Sequence, residues 1–159
     1  MTARSGAQTL PPLLKPRTIA VVGVRGGPFD PAARTSMARR FLEILLRHGY
    51  AGSVYPVNPR YETVGDLRCY PSVAAIPERV DAALVLVPKE RVAETLADCG
   101  ANGVRAVTII SSGYADAGPD GRADEKAMVA LAASYGMRVL GPNCFGYFNS
   151  HHGVKLFGS

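Results

Sequence analysis

Apolar residues along this chain come in short unbroken runs, separated by stretches with helical spacing. Thr18–Gly23 (TIAVVG) is apolar, β-branched and closed by glycine, so it reads as a buried strand. Ser53–Pro59 (SVYPVNP), Ala82–Pro88 (AALVLVP), Ala106–Gly113 (AVTIISSG) and Arg138–Gly141 (RVLG) read the same way. From Ser36 onward the apolar positions are Met37, Phe41, Ile44 and Leu45, with Arg39, Arg40, Glu43 and Arg47 between them; this predicts a helix that Gly49 ends. Residues 89–103 predict a second helix with Val92, Leu96 and Cys99 on one face, ended by Gly100 or Gly103. A third runs from about Ala123 to Tyr135, with Met128, Leu131 and Ala132 inward. Ser72 is expected to cap a short helix through Ile76, and the Gly- and Pro-rich stretch 24–35 is expected to be a loop.

Strand and helix alternate, and the strands are continuously apolar instead of alternating. Both features predict an α/β fold of the Rossmann-like, doubly wound kind. Its sheet would be five-stranded and mainly parallel, with helices on both faces. Residues 1–16 lack periodicity and read as an extended arm, 17–150 as the domain, and 151–159 as a tail. Open sheets of this type bind ligands at the carboxyl ends of their strands. Five loops are then expected at one edge: 23–29, 58–61, 88–90, 111–114 and 143–145.

Composition narrows the classes. The 159 residues are 47% hydrophobic and 19% charged, which fits one globular domain. No apolar run approaches the roughly 18 residues of a spanning helix, and the N-terminus lacks the apolar stretch of a secretory signal. Cys69, Cys99 and Cys144 are far apart with no C-x-x-C, so neither a disulfide framework nor a metal site is expected. A reducing, cytoplasmic setting follows. The net charge of +5 favours anionic partners. The basic residues are scattered and not interleaved with aromatics, which speaks against nucleic acid and for a phosphorylated small molecule.

The predicted loops carry the candidate chemistry. The first, Gly23-Val24-Arg25-Gly26-Gly27-Pro28-Phe29, lets backbone N–H groups approach phosphate oxygens, or simply makes a tight turn. It is not G-x-G-x-x-G. At the end of the second strand, where an NAD site has a carboxylate, the chain has Asn58-Pro59-Arg60. An arginine there suits an extra phosphate on a ribose, as in NADP or coenzyme A, or is a solvated surface residue. Ser111, Ser112 and Gly113 offer hydroxyls to a ligand or cap the next element. Cys144 would need a base to act as a nucleophile. His151 and His152 are nearest in sequence, without a triad pattern.

In this order, TIAVVGVRGGP, GSVYPVNPRY, CYPSVAAIPERVDAALVLVP, GVRAVTIISSGY and GMRVLGPNCFGYFN resemble the CoA-binding domain of NDP-forming acyl-CoA synthetases. That family includes ADP-forming acetate–CoA ligases and the alpha subunit of succinyl-CoA synthetase. The resemblance covers roughly residues 14–150. It implies coenzyme A as cofactor, with Gly26, Gly27, Pro28 and Phe29 at the phosphates and Pro59 and Arg60 near the nucleotide. Val87 and Pro88 would lie against adenine or pantetheine. Ser111–Gly113 would contact the cofactor, and Asn143 and Cys144 would lie near its thiol. Arg25 stands where relatives often have Ser or Thr, and the stretch 28–36 looks longer than theirs.

The resemblance further implies that thioester formation uses an acyl phosphate and a phosphohistidine on another domain, with ATP or ADP and Mg on an ATP-grasp domain. Neither domain is in these residues, and none of His48, His151 or His152 matches the phosphohistidine motif. The expectation is a chain that binds CoA and is not catalytic alone, with those domains as partners, no membrane, and oligomerisation left open. The alternatives are a stand-alone regulatory CoA-binding protein and an NADP-binding oxidoreductase or redox-sensor domain.

Overall fold

The computed structural model describes residues 10–27 and 36–157. Five strands build one sheet: β1 (Thr18–Val22), β2 (Ser53–Val57), β5 (Ala82–Val85), β6 (Ala106–Ile109) and β7 (Arg138–Leu140). Their order is β2-β1-β5-β6-β7 and every pairing is parallel. The chain steps from β1 outward to β2, then returns to the other side of β1 with β5. The strand order therefore reverses between β1 and β5, and the carboxyl ends there form the natural ligand crevice.

Burial on both faces explains the unbroken apolar runs. Ile19, Val21 and Leu84 pack with Ala38, Phe41, Leu42 and Leu45 of α2 (Met37–Arg47). Ala20, Val22, Ala83 and Val85 face the other way, onto Val92, Leu96 and Cys99 of α3 (Val92–Asn102) and Met128 and Ala132 of α4 (Pro119–Ser134). Ser36 caps α2 by accepting the Arg39 N–H, and Gly103 closes α3 in the left-handed conformation. No helix among the described residues is long and apolar enough to cross a membrane.

Several local elements differ from expectation. Residues 72–76 form a turn and not a helix. The N–H groups of Val73 and Ala74 donate to the Asp98 carboxylate on α3, at 2.6 and 3.0 Å, and Pro77 follows at once. The third long helix starts four residues earlier than Ala123, because Pro119 fits a first-turn position where no N–H is needed. Lys89–Arg91 is a 3-10 turn leading into α3. Pro11–Leu14 makes one helical turn, α1, whose Leu13 packs on Ala82 and Ala106. Two hairpins lie outside the main sheet: β3 (Thr63–Val64) with β4 (Leu67–Arg68), and β8 (Gly146–Asn149) with β9 (Val154–Phe157). Val154 and Leu156 of β9 join the core under α2.

Candidate functional site

Because all five strands are parallel, the five loops predicted at their carboxyl ends do share one edge. The first is built from glycine by necessity. Gly23 has φ +93°, and a methyl group on it would sit 2.2 Å from the Leu86 carbonyl oxygen. Three of the carbonyls that follow are held by the protein body. The Asn58 side-chain amide donates to Val24 O at 2.8 Å, an Arg39 guanidinium N–H to Gly26 O at 3.1 Å, and the Gly65 N–H to Gly27 O at 3.1 Å.

In a trans peptide the C=O and the next N–H point in opposite directions. Anchoring Val24 O inward therefore turns the Arg25 N–H outward, where it has no partner among the described residues, whereas Gly27 is bridged in parallel to Val64 and its N–H is engaged there. The Tyr61 ring packs against Gly26, where any β-carbon would overlap it. The result is a short loop that offers the Arg25 N–H outward, with the exposed Arg25 side chain beside it. Pro28 and Phe29 lie outside the described residues.

The second loop is tied to the first. Asn58 donates its N–H to Tyr70 O at 2.9 Å, and its side-chain oxygen accepts the Arg60 N–H at 3.0 Å. Both ends of the Asn58 amide are thus engaged by backbone, and the residue orders the loops. Arg60 is exposed beside it. Between these loops and α3 lies a cavity of about 220 Å3. Val22, Gly23, Val57, Pro59, Pro71 and Val87 supply an apolar side; Ser72, Arg91, Glu94, Thr95 and Asp98 supply polar groups. It sits at the β1/β5 reversal. Sites that engulf a whole drug-sized ligand run to about 300–1,000 Å3. A cavity of this size holds one part of a larger molecule, such as a planar base.

The remaining loops are closed on themselves. The Ser111 hydroxyl donates to Val87 O at 2.5 Å, and the Asn143 N–H donates to Ser111 O at 3.0 Å. Asp116 accepts the N–H groups of Gly113 and Tyr114, at 3.1 and 2.8 Å. Those two donors hold its carboxyl below the usual carboxylate range, the Gly113 N–H most of all. Ser112 is exposed, and Pro88 is exposed at the start of the 3-10 turn. Lys89 lies over the Tyr114 ring at 5.2 Å and pairs with Asp124 at 2.6 Å.

Asn143 takes φ +50°, which asparagine tolerates. Cys144 is half-buried, its sulfur 3.6 Å from Ile109 O. His152 lines a groove with Thr18 and Ser53, the first residues of β1 and β2, and so lies at the opposite edge. His48 contacts Lys155. No histidine is placed to activate the thiol. No cluster of metal-ligating side chains occurs among the described residues.

The loop and cavity involve residues the sequence did not single out. Arg39, Pro71 and the α3 wall all reach the site from other elements. Arg39 alone left a trace: it is adjacent to the apolar stripe of α2 and is 8% exposed.

A family model described as CoA binding domain matches residues 17–150. This chain belongs to the CoA-binding domain family. Within that family it is 41% identical over 138 residues to the alpha subunit of acetate–CoA ligase [ADP-forming] II of Pyrococcus furiosus, a match over 86% of this chain and 28% of the relative. It is 34% identical over 153 residues to a trans-feruloyl-CoA synthase of an unknown prokaryotic organism, over 96% of this chain and 21% of that one. The apo acetyl-coenzyme A synthetase 1 of Ca. Korarchaeum cryptofilum superposes with a TM-score of 0.83 at 38% identity, over 93% of this chain and 31% of that structure. This CoA-binding domain thus spans under a third of the length of these relatives. Its family fits the missing carboxylate after β2 and the presence of Arg60.

Proposed function

We propose that this chain binds coenzyme A across the carboxyl edge of its sheet, as the CoA-binding part of an ADP-forming acid–CoA ligase. The adenine occupies the cavity between Val57, Pro59, Val87 and α3. The diphosphate lies on the glycine loop at the outward Arg25 N–H, and Arg60 meets the ribose phosphate. The pantetheine arm then runs past Pro88 and Ser111–Gly113 towards Asn143 and Cys144. One observation carries this reading: a cavity of base size, apolar on one side, adjoins a glycine loop whose Val24, Gly26 and Gly27 carbonyls are held by the protein body.

The thiol presented here would attack an acyl phosphate made on another unit. Carbon–sulfur bond formation would release phosphate, with phosphoryl transfer carried by the rest of the synthetase. The longer relatives, named as acetate–CoA ligase and feruloyl-CoA synthase, support that division. Asn58 and Cys144 serve as structural members of the site and not as ligand contacts.

Calorimetric titration with CoA, dephospho-CoA and NADPH at two salt concentrations tests this. CoA should bind tightest, and more weakly at high salt, because phosphate contacts are screened. Binding of NADPH without CoA would sink the proposal and favour the oxidoreductase reading, which shares the logic of Arg60.

A further inference from the structure

We propose that Arg91, at the start of α3, and Glu94, in its first turn, read the edge of the base in the cavity. The guanidinium donates to ring nitrogen N7 and the carboxylate accepts from the 6-amino group, so adenine fits and guanine does not. This rests on the reading that the cavity takes the base of CoA.

The cavity is apolar on one side and polar on the other. A planar base lays its faces on apolar groups and turns its edge to the few polar ones that fix its orientation. Most of the polar side chains here are already committed to backbone. Asp98 accepts the N–H groups of Val73 and Ala74, at 2.6 and 3.0 Å, and the Ser72 hydroxyl oxygen accepts that of Ala75 at 3.2 Å. The Thr95 hydroxyl donates to Arg91 O at 2.8 Å. Asn58 is tied at both ends of its amide. Arg91 and Glu94 differ: among the described residues each of these two side chains meets only the other, at 3.4 Å.

That pairing leaves capacity on both partners. The side chains are 52% and 73% exposed, so solvent screens the pair and little energy fixes it. Glu94 follows Arg91 by three residues, so both project from the same side of the helix start. Arg91 meets Glu94 through its Nε–H, which leaves the terminal N–H groups of its fork for a ligand. Glu94 keeps its second oxygen. A donor and an acceptor thus lie side by side on the cavity wall. Adenine presents their complement, N7 as acceptor next to the 6-amino donor. Guanine presents two acceptors, N7 and O6, and its O6 would face the carboxylate. Arginine alone would favour guanine, because its fork suits N7 and O6 together. Glu94 is therefore the discriminating member and Arg91 the gripping one.

The test uses adenosine 3′,5′-bisphosphate and guanosine 3′,5′-bisphosphate, which carry the same phosphates and differ in the base. Each is titrated by calorimetry, alone and in competition with CoA, into the unmodified chain, Glu94→Gln and Arg91→Ala. Circular dichroism verifies the fold of both variants. The unmodified chain should prefer the adenine ligand by about tenfold or more, the scale of one two-point contact to a base edge. Glu94→Gln keeps the size of the side chain, and its amide can turn an N–H towards O6, so the two affinities should come within about threefold. Removing the Glu94 charge strengthens both anions alike, and their ratio still reports the base edge. Arg91→Ala should weaken both ligands by about tenfold and keep the adenine preference, because N7 is common to both bases.

An unmodified chain that binds the two ligands equally overturns the inference. So does a ratio left unchanged by Glu94→Gln, and in either case the base can still occupy the cavity. Should neither bisphosphate displace CoA, the fault lies earlier, in placing the base in this cavity, and the inference falls with that reading.

Discussion

The loops after β1 and β2 and the loops after β6 and β7 end the same parallel sheet, yet they treat their polar groups in opposite ways. After β1, the carbonyls of Val24, Gly26 and Gly27 are anchored, and the N–H group of Arg25 has no partner among the described residues. After β6, the chain supplies its own acceptors: Asp116 takes the Gly113 and Tyr114 N–H groups, and Glu125 takes that of Ala115. After β7, Asn143 N–H and the Cys144 thiol turn back onto Ser111 O and Ile109 O. One half keeps a backbone donor and two exposed arginines, Arg25 and Arg60, for a ligand. The other half is a finished wall, along which a flexible arm can lie without being gripped.

Two glycines test this contrast at matched backbone geometry. Gly23 and Gly113 both have φ +93°. A methyl on Gly23 meets the Leu86 carbonyl oxygen at 2.2 Å, whereas on Gly113 its nearest neighbour is the flexible Lys89 Cδ at 3.4 Å. Gly113→Ala should therefore cost only the left-handed backbone penalty, about 1–2 kcal/mol. Gly23→Ala should cost about 3 kcal/mol or more, or prevent folding, since backbone cannot move aside cheaply. Urea denaturation of both variants measures the difference. Equal losses would mean that the β1 loop has slack, and the tight end of the comparison would be lost.

The second test asks whether the open half carries the charge recognition. Arg60→Ala should weaken CoA by about tenfold and leave dephospho-CoA within about twofold, the pattern for one lost charge-assisted bond. Equal loss for both ligands would remove Arg60 from the ribose phosphate.

The fold was largely legible because its signals are local. An apolar run such as Thr18–Val22 is a strand whatever its neighbours, and the 37, 41, 44, 45 spacing marks α2. What failed depended on distant partners. Residues 72–76 carry a helix cap in Ser72, yet Asp98, more than twenty residues away, takes the N–H groups and holds a turn. The β8–β9 hairpin hides in short segments, GYFN and VKLF, too brief to show alternation.

The candidate site divides the same way. The loops bearing Gly23–Gly27 and Asn58–Arg60 could be located because parallel topology sends strand ends to one edge. The role of Asn58 as a tie, and of Arg39 as an anchor, could not. Both depend on which carbonyl lies within 3 Å or so after folding.

The third test addresses the closed half at its most suggestive residue. Cys144→Ala removes a thiol that donates only to strand carbonyls. It should cost about 1 kcal/mol of stability, the scale of a small buried truncation, and leave CoA affinity within about threefold. A loss beyond tenfold would place the sulfur against the ligand and reopen loop five as part of the grip.

The smallest effect concerns Asp116, a fully exposed carboxylate. Its pKa is depressed in the folded chain, so the stability it lends is present above the unfolded carboxylate pKa. That stability is lost as pH falls through the lower, folded value. Asp116→Asn should therefore narrow the melting-temperature gap between pH 7 and pH 3 relative to the unmodified chain, while CoA affinity at pH 7 holds. Asparagine keeps an oxygen acceptor for one of the two N–H groups, so the loop should retain its shape. Improved CoA binding in this variant would show that the Gly113 and Tyr114 N–H groups, once released, reach the ligand. The wall would then be a site kept filled by its own carboxylate, and the two halves would differ in occupancy instead of kind.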